Sequence, residues 1–300
     1  MTDLGRQWID AVRSDDFDRA WTISDAVLSA RNPATRDDPA APYHQRWVWD
    51  GRAFDGQDVL VRCYHGLGDT IQFARYLPLL ARRAASVTLE VQPRLVALLS
   101  SLPGIAAIHP FDPARPVPPS ACDLEITELP FALREHPSTI PAPYLRSAPA
   151  RLPVGTIGLC YASGDWDVER SMPPPLFASL LANRSAVSLV SEPTKLPVLN
   201  REGCPFDIDA TAALVAGAAL VITVDTMIAH LAGALGTPTW LLLKHAPDWR
   251  WPREGTKTVW YPRTRLYRQP RPGDWASVVD RVAADLASRD AGTSRQQGNR

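Results

Sequence analysis

Cysteine is scarce in this 300-residue chain: Cys63, Cys122, Cys160 and Cys204 stand far apart, with no C-x-x-C pair. That excludes a disulfide-framed secreted scaffold and the paired-thiol zinc sites. Long apolar runs are missing as well, none approaching the roughly 18 residues of a membrane span, and the N-terminus lacks the basic-then-apolar order of a signal peptide. Charge of one sign is not in excess either. Lys and Arg number 32 and Asp and Glu 32, so no global field favours nucleic acid or an anionic surface. The expectation is a cytoplasmic protein with reduced thiols and no nucleic-acid partner, for which peripheral contact with the inner face of a membrane stays open.

The chain is 45% hydrophobic, enough for real cores, and carries 29 prolines, many of them between 103 and 153 and between 173 and 205. Residues 4–30 place Trp8, Ile9 and Val12, then Phe17, Ala20, Trp21, Ile23, Val27 and Leu28, at helical spacing around Ser14-Asp15-Asp16. The pair is similar to one degenerate tetratricopeptide-type unit. One unit forms no array, so an end cap or docking hairpin is expected rather than a peptide groove.

After a linker that ends near residue 45, strand-like runs at 58–64, 86–91, 105–108 and 122–126 alternate with helical patterns at 70–84 and 93–101. The pattern stops at Pro141-Ala142-Pro143. It resumes with strands at 156–161, 187–191, 219–224 and 238–243 and helices at 175–182, 210–217, 226–236 and 274–288, leaving 289–300 as a disordered polar tail. Alternation of this kind predicts an α/β fold of two Rossmann-like domains, 46–150 and 151–288, behind a helical hairpin and linker at 1–45.

Ligands of open α/β sheets bind beyond the carboxyl ends of the strands. There, His65-Gly66-Leu67-Gly68-Asp69 follows Val59-Leu60-Val61 and runs into a helical pattern. A glycine-rich turn at a helix start brings N–H groups to a ligand, with Gly66, Gly68 and Thr70 as the loop contacts. Asp69 presents a carboxylate that can take a proton, its plain alternative being an acid favoured by the helix dipole. His65 would bind the acceptor or assist that base, or else be a structural histidine.

A second turn, Asp225-Thr226, follows the apolar run from Leu220 to Val224. The N–H groups of Thr226, Met227 and Ile228 would hold an anion, while Asp225 would either cap the helix or touch the ligand. His230 would reach back to that anion or sit in the core, and Arg170 would neutralise a leaving diphosphate. Lys195, Lys244 and His245 stand at strand ends facing the expected cleft. Asp165-Trp166-Asp167 imitates a D-x-D metal signature, but spacing this short arises readily by chance, and no metal is expected.

The segment from Gly66 to Pro78, GLGDTIQFARYLP, followed by that from Val224 to Gly236, VDTMIAHLAGALG, resembles the heptosyltransferase-like family 9 glycosyltransferases. Pro247-Asp248-Trp249-Arg250-Trp251 and the run from Arg268 to Trp275 are similar to the branch often fused to tetratricopeptide repeats. The resemblance covers about residues 46 to 288. It implies a GT-B fold, an acceptor held mainly by the first domain and a nucleoside-diphosphate sugar by the second. It also implies Asp69 as general base, pyrophosphate at Thr226 and Met227, and Asp225 toward the donor sugar. The chain departs from that pattern in a short stretch between Val190 and Ala210, and in Ser163-Gly164-Asp165-Trp166-Asp167 where a basic run is more usual.

The function expected is a metal-independent, cofactor-free, inverting transfer of a sugar to a hydroxyl of a glycan, lipid-linked saccharide or protein. The alternatives are a non-catalytic sugar-nucleotide or protein-interaction module and an NAD-dependent oxidoreductase. The last is disfavoured because Ile71 stands where the G-x-G-x-x-G fingerprint needs a small residue.

Overall fold

The computed structural model describes residues 2–140 and 142–297. Helices α1 (Asp3–Arg13) and α2 (Phe17–Ala30) form the expected hairpin. Thr2 and Asp16 cap them, accepting the N–H groups of Gly5 and Arg19.

The first half is a parallel four-stranded sheet. Its strands β1 (Asp58–Arg62), β2 (Ser86–Val91), β3 (Ala107–Pro110) and β4 (Cys122–Glu125) lie in the order β3-β2-β1-β4. Val61 sits opposite both Leu89 and Leu124 and is fully buried, as the continuous apolar run of a strand covered on both faces requires. Helices α3 (Leu67–Phe73), α4 (Leu77–Ala81), α5 (Val96–Leu99) and α6 (Leu129–Leu133) complete it. The single helix expected over 70–84 is divided by a 3-10 turn at Ala74–Tyr76. Pro78, in the first turn of α4, has no N–H to continue the α-helical ladder.

The second half contains β5 (Ile157–Cys160), α7 (Pro174–Ala178), β6 (Ala186–Ser188), α8 (Ile208–Gly217), β7 (Leu220–Val224), α9 (Met227–Leu235) and β8 (Thr239–Leu243). These are followed by β9 (Thr264–Arg268) and α10 (Trp275–Gln297), and the five parallel strands run β6-β5-β7-β8-β9. Strand β9 is absent from the sequence reading because it is an edge strand whose apolar Leu266 and Tyr267 are flanked by arginines. Helix α10 runs well past residue 288 into the stretch expected to be a disordered tail, with Arg184 pairing to Asp290 at 2.5 Å. Residues 298–300 of that stretch lie outside the described residues.

The halves meet through α3 and α9, the two helices that carry the two motifs. Tyr144, just beyond the proline hinge, straps them: its hydroxyl donates to the Ile71 carbonyl at 3.0 Å and its N–H to the Ala234 carbonyl at 3.0 Å. Beneath lies Arg75, almost wholly buried, with its guanidinium 4.8 Å from the Tyr261 ring centre and 4.9 Å from that of Tyr144. Gly233 makes close packing possible. A Cβ there would stand 2.3 Å from Cδ1 of Tyr261.

Of the two roles expected for it, the hairpin docks, covering the seam, and does not cap one end. Phe17 packs on His136 of the first half (ring centres 4.6 Å) and Trp260 of the second (6.0 Å), and Trp8 packs on Trp249 (5.0 Å). Arg13 donates to the Pro247 carbonyl at 2.7 Å, and Asp15 and Asp25 pair with His136 and Arg134.

Candidate active site

Both motif turns open into one cavity of about 680 Å³ between the halves. Gly66, Gly68, Asp69, His65, Arg170, Asp225, Thr226, Met227, Ile228 and His230 all line it, so the structure brings together most of the residues singled out in the sequence. The turns touch. A Cβ on Gly68 would lie 3.4 Å from Cα of Met227 and 3.0 Å from Cδ2 of His230, so glycine is what lets the first turn seat on the start of α9.

Two expected members stand elsewhere. Thr70 is fully buried, its hydroxyl donating to Oε1 of Gln92 at 3.0 Å, because it falls on the inward face of α3. Lys195 is exposed and does not line the cavity: the loop after β6 folds back through the Thr194 N–H to the Arg201 carbonyl at 2.8 Å and carries it outward.

Asp69 lines the cavity but is not the free carboxylate expected. Its Oδ2 accepts the Gly66 N–H at 3.0 Å, a capping arrangement, and its Oδ1 is held by Nη2 of Arg250. Arg250 spends its whole fork: Nε reaches across the seam to Gln72 Oε1 at 2.6 Å, and Nη1 donates to Asp248 Oδ1 of its own loop at 2.8 Å. Burial works against its charge, and Asp69 and Asp248 outweigh burial and hold the guanidinium protonated. Sequence reasoning gave Arg250 no site role. The available signal was an arginine set between two tryptophans, Trp249 and Trp251, just beyond the end of a central strand.

His65 lines the cavity, and its Nδ1 stands 3.0 Å from Oε1 of the buried Glu125. Burial alone would lower its pKa, and the Glu125 carboxylate more than reverses that, so its pKa is raised. His230 is a core residue that also borders the cavity, with Nδ1 2.9 Å from the Tyr261 hydroxyl and its ring stacked on Trp251 at 5.7 Å. Burial and the neighbouring Arg250, Arg75 and Arg170 push its pKa well down, so it is neutral.

At the second turn the cap is Thr226, not Asp225. The Thr226 hydroxyl accepts the Ile228 N–H at 3.2 Å, which uses one of the amides expected to face an anion. Asp225 is released from capping and buried, and burial, then repulsion from Asp248, raises its pKa to about 6. Arg170 ends the 3-10 turn Asp165–Arg170 and donates to the Asp225 carbonyl at 2.8 Å, which holds a cation beside the start of α9. Lys244 pairs with Asp167 at 2.9 Å and Glu169 at 3.2 Å, and His245 contacts Gln269, so both serve loop structure. No cluster of potential metal ligands occurs among the described residues. Nor is any helix there long and apolar enough to cross a membrane.

The structure superposes on Escherichia coli heptosyltransferase WaaC, solved with ADP-2-deoxy-2-fluoro heptose, with a TM-score of 0.51 and 12% identity over 76% of this chain and 99% of that one. TibC from enterotoxigenic E. coli, an iron-containing dodecameric glycosyltransferase, gives 0.51 and 12% over 69% of this chain and 62% of that one. The fold is GT-B. Within this GT-B chain, residues 204–253, which contain the second turn and Arg250, match the profile of glycosyltransferase family 9 (heptosyltransferase). Protein FlbA of Caulobacter vibrioides is 24% identical over 293 residues, covering 79% of this chain and 48% of that protein. The chain thus spans about half the length of the curated relative it matches. The profile match and the GT-B fold together support a glycosyltransferase.

Proposed function

We propose that this GT-B chain transfers a sugar from a nucleoside-diphosphate sugar to an acceptor hydroxyl, with inversion and without a metal. The observation that carries the reading is the direct seating of the Gly66–Asp69 turn on the start of α9 within one large cavity. A carboxylate and an anion-binding helix start then face the same reacting carbon. Diphosphate would lie at Thr226 and Met227, with Arg170 and Arg250 as its counter-cations. Nucleoside would extend toward Leu189–Glu192 and Phe206, where the Arg94 guanidinium lies 3.7 Å from the Phe206 ring centre.

Asp69 enters the chemistry by exchange. A diphosphate carries more charge than a carboxylate and competes for the Arg250 fork, so donor binding frees Oδ1 of Asp69. The acceptor oxygen then bonds to the anomeric carbon as the carbon–oxygen bond to phosphate breaks. Its proton goes to Asp69, and the bonding pair leaves on the diphosphate, stabilised by Arg170 and Arg250. Pairing of Asp167 with Lys244 supports a metal-free site, since it occupies one carboxylate of the D-x-D look-alike.

The Asp69–Arg250 pair also favours a second reading, a sugar-nucleotide-binding module without turnover, in which the pair never opens. Thermal melting with ADP-, GDP-, UDP- and dTDP-sugars tests the binding, and release of free nucleotide from the best stabiliser separates the readings. Transfer or slow hydrolysis supports the enzyme. Binding with neither supports the module, and absence of any melting shift rejects both.

A further inference from the structure

A second cavity, about 270 Å³, lies on the other side of the Asp69–Arg250 pair. Trp8, Phe17 and Trp21 of the N-terminal hairpin, Phe131 of the first half and Trp249 and Trp260 of the second line it, and Asp69 and Arg250 also border the large cavity. We propose that this chamber is the acceptor site, that it takes one uncharged pyranose ring, and that the hairpin is therefore part of the active site. The proposal rests on the glycosyltransferase reading and names the substrate class of that same site.

Three features select the ring. Asp69 is shared by the two cavities, so a hydroxyl in the chamber and an anomeric carbon in the large cavity meet at the one carboxylate between them. The lining is chiefly aromatic, with Ser24, Thr127 and His65 as its polar groups besides the ion pair. A pyranose has apolar C–H faces that pack on indole, while its hydroxyl rim meets the Asp69 carboxylate at the border of the chamber. An acyl chain would leave the Asp69 and Arg250 charges against hydrocarbon, and a peptide would bring backbone N–H and carbonyl groups that aromatic walls do not satisfy. Lastly, the volume falls just below the roughly 300–1,000 Å³ of pockets for drug-sized ligands, which suits one ring and not a chain.

The hairpin supplies the roof by sequence spacing. Trp8 is fixed by its indole N–H donating to the Ser24 hydroxyl at 3.1 Å, and Phe17 and Trp21, one turn apart on α2, present their rings to the same side (centres 6.2 Å apart). Trp8 and Trp21 are only partly buried, so either can be replaced with little loss of core.

Tryptophan fluorescence of the full chain tests this, with methyl β-D-glucopyranoside and methyl β-D-galactopyranoside as probes and n-hexanol and a blocked Gly-Ser-Gly peptide as comparisons. A pyranoside should give a saturable change, weakened about tenfold in Trp21→Ala and largely kept in Trp21→Phe, while the melting shift caused by nucleoside diphosphate stays the same in all three proteins. No saturable pyranoside signal up to the solubility limit overturns the proposal. So does saturation by hexanol or peptide instead, or a Trp21→Ala variant that binds pyranoside as the parent does. If no nucleoside diphosphate shifts melting in the parent protein, the glycosyltransferase reading falls, and the pyranoside titration still decides what the chamber holds.

Discussion

The two strand-to-helix turns begin alike, an acid just past a buried parallel strand, and end with different physics. Asp69 is the third residue of its helix, part solvated, with both oxygens engaged, one by the Gly66 N–H and one by Arg250. Asp225 precedes its helix, is buried and has lost the capping role to Thr226, so its ionised form is disfavoured. Position after a strand is therefore a poor guide to what an acid does. The partner held by each oxygen decides it.

Substitutions can break this comparison one turn at a time. Asp69→Asn removes the proton acceptor and keeps a side chain for the Gly66 N–H, so transfer should fall about a thousandfold, with the nucleotide-induced melting shift retained. Arg250→Ala leaves Asp69 and Asp248 without their shared buried cation. Urea unfolding should show a loss of roughly 3–5 kcal/mol, and diphosphate affinity should drop together with it.

Asp225 gives a pH signature of definite sign. Its folded pKa of about 6 lies above the ordinary 3.8, so the folded state holds the extra proton between those values and stability falls as pH rises from about 4 to about 6. The gap is worth about 3 kcal/mol. Asp225→Asn escapes that loss: it should match the parent near pH 4 and exceed it in urea midpoint at pH 7.5. Diphosphate binding to the parent should also tighten below pH 6, where a negative charge near the helix start is neutralised, and the substitution should flatten that dependence in titration calorimetry.

Gly233→Ala tests the packing of α9 within the second half. The added methyl meets Tyr261 and must shift α9, for a destabilisation of roughly 1–3 kcal/mol by thermal melting and a weaker diphosphate site. The smallest effect expected is that of a chelator, which should leave turnover unchanged.

Much of the architecture was legible because parallel strands buried on both faces are written as uninterrupted apolar runs, such as Val59-Leu60-Val61 and Leu220 to Val224. Strand β9 escaped because its arginines hide an edge position. The candidate site was legible where it rests on backbone, in Gly66, Gly68 and the start of α9. It was less legible where it rests on long-range side-chain pairing. Lys195 and Thr70 have suitable chemistry and point elsewhere, and nothing local to residue 250 announces a partner at Asp69, far away in sequence. The hairpin was legible as two helices that dock, and its position was not. Its aromatic spacing gives two helices, but only the closed tertiary structure reveals that they roof a chamber on the seam.

The most direct test is the anomeric configuration of the product, followed by NMR as the full chain turns over the sugar nucleotide that stabilises it most. The account predicts a product of configuration opposite to that of the donor, because one carboxylate deprotonates the attacking hydroxyl in a single displacement. A product of retained configuration, or a donor that stays intact in the presence of pyranoside acceptors, would contradict it.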